Sequence, residues 1–155
     1  MKLRVLAVGT KMPSWVQEGV REYSKRLPAD CALEFVEIPA GHRARNSNSA
    51  QAMAQEAEAI YRAIRPQDHL VALDVLGKLW STERLSEHLA DWRMSGRNVA
   101  LLVGGPDGLA PEILQKVQQR WSLSKLTFPH PLVRIVLAEQ LYRAWTLLQG
   151  HPYHK

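Results

Sequence analysis

Cysteine is almost absent from this chain: Cys31 is the only one among 155 residues. A lone cysteine excludes an internal disulfide and fits a reducing compartment. Long hydrophobic runs are missing as well. No stretch nears the roughly 20 apolar residues that a membrane-spanning helix requires. The opening MKLRVLAVGTK has an apolar stretch too short for a secretory signal and no small-residue cleavage pattern. The expectation is a cytoplasmic protein with no membrane partner. Internal repeats and low-complexity tracts are lacking, and so are the RNP, KH and zinc-finger patterns of dedicated RNA-binding modules.

What is present describes one globular domain over 1–155. The chain is 46% apolar and 23% charged, an ordinary balance for a soluble fold with a substantial core. The formal net charge is +5 and the pI about 9.6. Residues 1–50 carry eight Lys and Arg against five acids, 51–100 six against seven, and 101–155 six against three. The positive excess therefore sits at the two ends, which permits a polyanionic partner without demonstrating one.

Strands and helices alternate along the chain. LRVLAVG (3–9), ALEFVEI (32–38), HLVALDV (69–75) and NVALLVG (98–104) read as strands. Several are continuously apolar, as in a parallel sheet covered on both faces. Helices are expected over 13–27, starting at Pro13, over 50–64, over 82–94 with Thr82 as cap, over 111–120 behind Pro111, and over 131–149. WSLSKLTF (121–128) reads as a last extended segment, and 40–49 as a polar, basic loop. The pattern predicts an α/β sandwich.

NVALLVGGPDGLAP (98–111) runs from an apolar strand into a glycine-rich turn. A P-loop needs lysine and a hydroxyl after its last glycine, but Leu109 and Ala110 follow Gly108. A dinucleotide fingerprint fails in both frames: counted from Gly104, Pro106 and Leu109 occupy glycine positions, and counted from Gly105, Asp107 and Ala110 do. The turn suits close backbone approach by a ligand other than phosphate. On residue types alone, a tight turn needing only glycine's backbone freedom fits equally.

Three further features stand out. In WSLSKLTFPHPLVR (121–134), hydroxyl residues alternate with apolar ones before Pro129-His130-Pro131. That stretch offers carbonyls and apolar walls suited to a purine and a cationic sulfonium, or is simply a strand with a solvated edge. The tail GHPYHK holds His151 and His154, but no third ligand lies near, so no metal site is expected. The closing helix is apolar around most of its circumference, with a narrow polar strip of Glu139, Gln140, Arg143 and Thr146. A second copy of the chain covering its outer face, a homodimer, is the expectation. Glu139 and Arg143 are spaced for an i,i+4 ion pair.

GTKMP (9–13), EIPAG (37–41), LLVGGPDGL (101–109), WSLSKLTFPHPLVRIVLAEQLYRAW (121–145) and HPYH (151–154) resemble the bacterial family of 23S rRNA pseudouridine-N3 methyltransferases. The likeness runs essentially end to end. The family belongs to the SPOUT class of S-adenosylmethionine-dependent methyltransferases. The resemblance implies a Rossmann-like parallel sheet with a C-terminal deep trefoil knot, and a homodimer whose sites form at the interface. It implies cofactor contacts at Leu73, Gly104, Leu123, Ser124, Lys125, Leu126, Thr127 and Phe128. The implied substrate lies in helix 69 of 23S rRNA within the assembled ribosome.

The implied reaction is attack of a pseudouridine N3 on a sulfonium methyl. The enzyme's part is positioning and removal of the N3 proton. His130, His151, Tyr153 and His154 are the candidate proton acceptors; Arg134 and Arg143 could steady a phosphate or a developing oxyanion. Arg143 with Glu139, or His130 between its prolines, would serve structure equally well. Lys2, Arg4, Lys11, Arg43, Arg45 and the C-terminal tail are the candidate phosphate contacts. The rival functions are a SPOUT methyltransferase acting on tRNA and a non-catalytic ribosome assembly factor.

Overall fold

The computed structural model describes residues 1–45 and 48–155; Asn46 and Ser47 of the expected 40–49 loop lie outside the described residues. Five strands, β1 (Lys2–Val8), β2 (Ala32–Ile38), β3 (His69–Leu79), β4 (Val99–Val103) and β5 (Gln119–Ser122), form one sheet. Their order is β2-β1-β4-β3-β5, and every pairing is parallel. Helices α1 (Ser14–Ser24), α2 (Ser49–Ala63), α3 (Thr82–Ser95), α4 (Pro111–Leu114) and α5 (His130–Gln149) cover it. Short 3-10 turns occupy Ala29–Cys31 and Pro152–His154.

The unbroken apolar strands have the expected cause. In β1, Leu3, Val5 and Ala7 pack toward α1, α3 and α5 with Leu89, Leu137 and Leu141. Leu6 and Val8, on the opposite face, pack toward α2 and α4 with Ile60 and Ile113. β4 divides in the same way, Leu101 on the first face and Leu102 on the second. Period-two side chains on a two-faced sheet leave no position for a polar residue.

Arg4 is the exception inside β1. It is buried, pairs with Asp68 at 3.5 Å and donates to the carbonyl of Ala63. It is therefore a structural ion pair and not a phosphate contact.

Several boundaries differ from the sequence expectation. α1 ends at Ser24, three residues early. The expected 111–120 helix stops at Leu114. Gln118 is stitched to β3 by its N–H on the Leu70 carbonyl at 3.0 Å and by its side-chain oxygen accepting from the Leu70 N–H at 2.7 Å. Strand pairing outcompetes helix propensity there. The last strand accordingly covers 119–122 and not 121–128; beyond it the Ser122 hydroxyl donates to the Ser124 carbonyl and turns the chain.

β3 continues to Leu79 through a bulge, with Leu73 and Lys78 both registered against Trp121. Ser81, not Thr82, caps α3 by accepting from the Arg84 N–H; the Thr82 hydroxyl instead donates to Gln140. α5 begins one residue early, at His130, with Pro131 in its first turn where a missing N–H costs nothing. Thr146 is fully buried and donates to the Arg143 carbonyl, so the polar strip of α5 is narrower than its sequence indicates. No helix among the described residues is long and apolar enough to cross a membrane.

Candidate functional site

A cleft of about 890 Å³ opens at the carboxyl ends of β3, β4 and β5, where open parallel sheets place their ligand sites. Leu73 and the bulge after it, with Asp74, form one wall. The turn Gly104–Leu109 forms the second, and the segment from Trp121 to Phe128 the third. Of the candidate cofactor contacts, Leu73, Gly104, Leu123, Ser124, Leu126, Thr127 and Phe128 line this single cleft. Lys125 is exposed and lies outside the lining.

The glycine turn is shaped from within. The Gly108 N–H donates to the Gly105 carbonyl at 3.0 Å, and Gly108 adopts φ +82°, a left-handed conformation costly to other residues. A Cβ on Gly104 would lie 2.5 Å from the Gly108 carbonyl carbon and 2.6 Å from the Leu109 nitrogen. Gly104 is thus demanded by the turn's own backbone before any ligand arrives.

Behind the turn stands an ion-pair cluster that the sequence did not single out. Glu56 is 2% exposed on the apolar face of α2. Its Oε2 accepts from the Gly41 N–H at 2.9 Å and from Arg43 at 2.7 Å. Arg43 Nε reaches Asp107 at 3.1 Å. Arg43 is therefore engaged internally, unlike Lys2, Lys11 and Arg45, which are exposed. One signal was available: Glu56 shares the Ala52, Ala57, Ile60 stripe, and an acid on the buried face of a helix demands a partner.

At the mouth of the cleft, Arg134 is 3% exposed and gathers three elements. It pairs with Glu37 at the end of β2 at 2.9 Å, donates to the Gly9 carbonyl at 2.7 Å, and donates through Nε to His130 Nε2 at 3.0 Å. Burial, then the Arg134 charge, depress the His130 pKa. A nitrogen that accepts from a guanidinium carries no proton, so the ring is neutral with its proton on Nδ1. Arg134 is occupied with its own chain and not placed to steady a phosphate.

The remaining candidates gather at the other end of α5. Arg143 Nε donates to Glu139 at 2.6 Å, and the guanidinium lies 4.9 Å from the Tyr153 ring centre. The Tyr153 hydroxyl faces Glu139 at 3.4 Å; burial, then the Glu139 charge, raise its pKa. His151 caps the final turn by accepting from the Tyr153 N–H. The buried Nδ1 of His154 has no hydrogen-bond partner among the described residues.

The structure does not bring the catalytic candidates together within one chain. His130 and Arg143 are about 20 Å apart along the helix axis at 1.5 Å per residue. Cys31 is buried, which pushes its thiol up to about 11 and leaves it inert. Among the described residues no three His, Cys, Asp or Glu side chains cluster as metal ligands.

The chain is similar to several proteins of known family. The family model described as "Predicted SPOUT methyltransferase" matches residues 1–154. A protein of Chromohalobacter salexigens named Ribosomal RNA large subunit methyltransferase H is 62% identical over 155 residues, the whole of both chains. A Pseudomonas putida protein of the same name is 56% identical over the same span. Among solved structures, a probable methylase family protein from Haemophilus influenzae shares the fold at TM-score 0.58 and 14% identity, over 99% of this chain and 70% of that one. A putative methyltransferase from Legionella pneumophila, solved with bound SAM, matches at TM-score 0.51 and 12% identity, over 93% of this chain and 66% of that one.

Proposed function

The chain belongs to the SPOUT methyltransferase family, and from that premise we propose that it methylates N3 of a pseudouridine in helix 69 of 23S rRNA. In this reading it works on the assembled ribosome in the cytoplasm, as a homodimer using S-adenosylmethionine. Membership also implies the trefoil knot of the SPOUT fold in the C-terminal part of the chain. The observation that carries the reading is the cleft itself: four of the five segments resembling the rRNA methyltransferases, far apart in sequence, contribute to one cavity around Gly104.

The residues present fit S-adenosylmethionine. Leu73, Leu109, Trp121 and Phe128 give apolar walls suited to a flat adenine. The turn at Gly104 presents backbone without side chains, and Asp74 supplies negative charge toward a cationic ligand. When bound, that group supplies a methyl on a positively charged sulfur, so no side chain need act as nucleophile.

The protein's work is then orientation and control of the N3 proton. An imide nitrogen reacts as its anion, and donors to the flanking carbonyl oxygens favour that anion. His130, protonated on Nδ1, and Tyr153, its pKa raised, act as such donors. Arg143 adds positive charge. His154, at the same end of α5, is the candidate acceptor of the N3 proton. Because His130 stands at the cleft and Arg143, over which Tyr153 packs, lies about 20 Å away along α5, the partner protomer supplies the second group.

Incubation with tritiated S-adenosylmethionine and, in parallel, ribosomes or tRNA tests the reading. Label in 23S rRNA supports it. Label in tRNA moves the protein to a tRNA substrate, and label in neither makes it a non-catalytic assembly factor.

A further inference from the structure

The glycine turn is held from behind by a residue that does not line the cleft. Arg43 spans two carboxylates: its Nη1 meets the buried Glu56 and its Nε meets Asp107 in the turn. Glu56 also holds the Gly41 N–H, and Arg43 Nη1 donates to the Gly41 carbonyl at 3.3 Å. Two other glycines mark how closely these parts fit. A Cβ on Gly41 would lie 2.2 Å from the Ala52 carbonyl oxygen. One on Gly105 would come within 3.2 Å of both Glu56 carboxylate oxygens. The 41–43 segment and α2 thus meet backbone to backbone, and the turn rests on the Glu56 carboxylate, with Arg43 as the cation that compensates a buried acid and continues to the turn.

We propose that Arg43 is a positioning residue for the methyl-donor cleft: by bridging Glu56 and Asp107 it fixes the 104–108 turn in the form the donor meets. The inference rests on the methyltransferase reading. It assigns Arg43 to cofactor affinity and takes it out of the RNA footprint. Arginine is required because its planar fork reaches two carboxylates from two nitrogens, which a lysine point charge does not.

The test is a double-mutant cycle in the full chain, with S-adenosylhomocysteine titrated calorimetrically into wild type, R43A, R43K, D107N and R43A/D107N. R43A is expected to weaken binding about tenfold, the scale of one charge-assisted hydrogen bond. R43K keeps a cation beside Glu56, so it folds even if R43A does not, and it is expected to lose affinity comparably. D107N should cost less in the R43A background than in wild type. In ribosome methylation the loss should appear in KM for the methyl donor and not in kcat, a split that general destabilisation does not produce. Wild-type affinity in both R43A and R43K, full rescue by lysine, or additive effects of the two substitutions overturn the proposal. If wild type itself takes up no S-adenosylhomocysteine, the methyltransferase reading fails, and this inference with it.

Discussion

Arg134 Nε donates to His130 Nε2 at 3.0 Å across one turn of α5, and the same guanidinium meets Glu37 and the Gly9 carbonyl. A histidine at the cleft mouth is thereby fixed in one tautomer by a buried cation. Its ring is a donor through Nδ1 and not a free base, which reverses the first role its sequence position suggests.

That arrangement has a pH signature. Burial and Arg134 depress the folded-state pKa of His130 below its ordinary value of 6.5. The neutral ring's contribution to stability is fully present above that value and is lost as pH falls through the window beneath it. The melting temperature of wild type should therefore drop between about pH 7.5 and about pH 5 by more than that of H130Q, which keeps an acceptor for Arg134 but cannot titrate. His88, also depressed by burial and then by Arg84, contributes equally to both proteins and cancels in the comparison. Parallel curves for the two would remove the Arg134–His130 bond from the account.

Gly104 and Gly108 should fail differently. An alanine at 104 places its Cβ against three backbone atoms that cannot yield, so the turn must open. We expect a loss of about 2 kcal/mol in urea unfolding together with loss of S-adenosylhomocysteine binding. An alanine at 108 meets nothing within 4 Å and pays only for its positive φ, about 1–2 kcal/mol, with binding retained in the molecules that remain folded. Equal binding by the two variants would show that the turn's shape does not govern the cleft.

Much of this was legible before the structure, for identifiable reasons. A two-faced parallel sheet writes itself as uninterrupted apolar strands, so β1 and β4 were plain. The cleft was legible because glycine and proline punctuate it at Gly104, Pro106 and Gly108. What stayed hidden depends on distant partners. The short α4 follows from Gln118 binding Leu70, and the burial of Arg4 from Asp68. Arg43 read as one more surface base because Glu56 and Asp107 lie 13 and 64 positions away.

The RNA footprint should follow exposure. Lys11 and Arg45 are exposed, while Arg4 and Arg43 are spent on internal carboxylates. Each lost phosphate contact lowers the slope of log affinity against log salt by about 0.7–0.9. K11A/R45A should therefore flatten ribosome binding by about 1.5 in slope across a salt titration, whereas R43A should leave the slope unchanged. An unchanged slope in K11A/R45A would put the footprint elsewhere on the basic surface.

The separation along α5 makes the strongest demand. His130 begins the helix at the cleft, and Tyr153 sits beyond its far end against Glu139 and Arg143. Glu139, which the Tyr153 hydroxyl faces, stands nine residues or about 14 Å along the axis from His130, yet the proposed chemistry needs His130 and Tyr153 at one pseudouridine. Two chains packed so that the start of one α5 meets the end of the other satisfy it. H130A and Y153F homodimers should each be nearly inactive toward ribosomes. Unfolded, mixed and refolded together, they should regain activity, because half of the dimers are then mixed and each mixed dimer keeps one intact pair. The intact pair comprises His130 from the Y153F chain and Tyr153 from the H130A chain. Recovery near a quarter of the wild-type rate is expected, half the dimers carrying one working site of two. No recovery, with sedimentation showing that mixed dimers formed, would mean that both residues act from the same chain or that one of them takes no part.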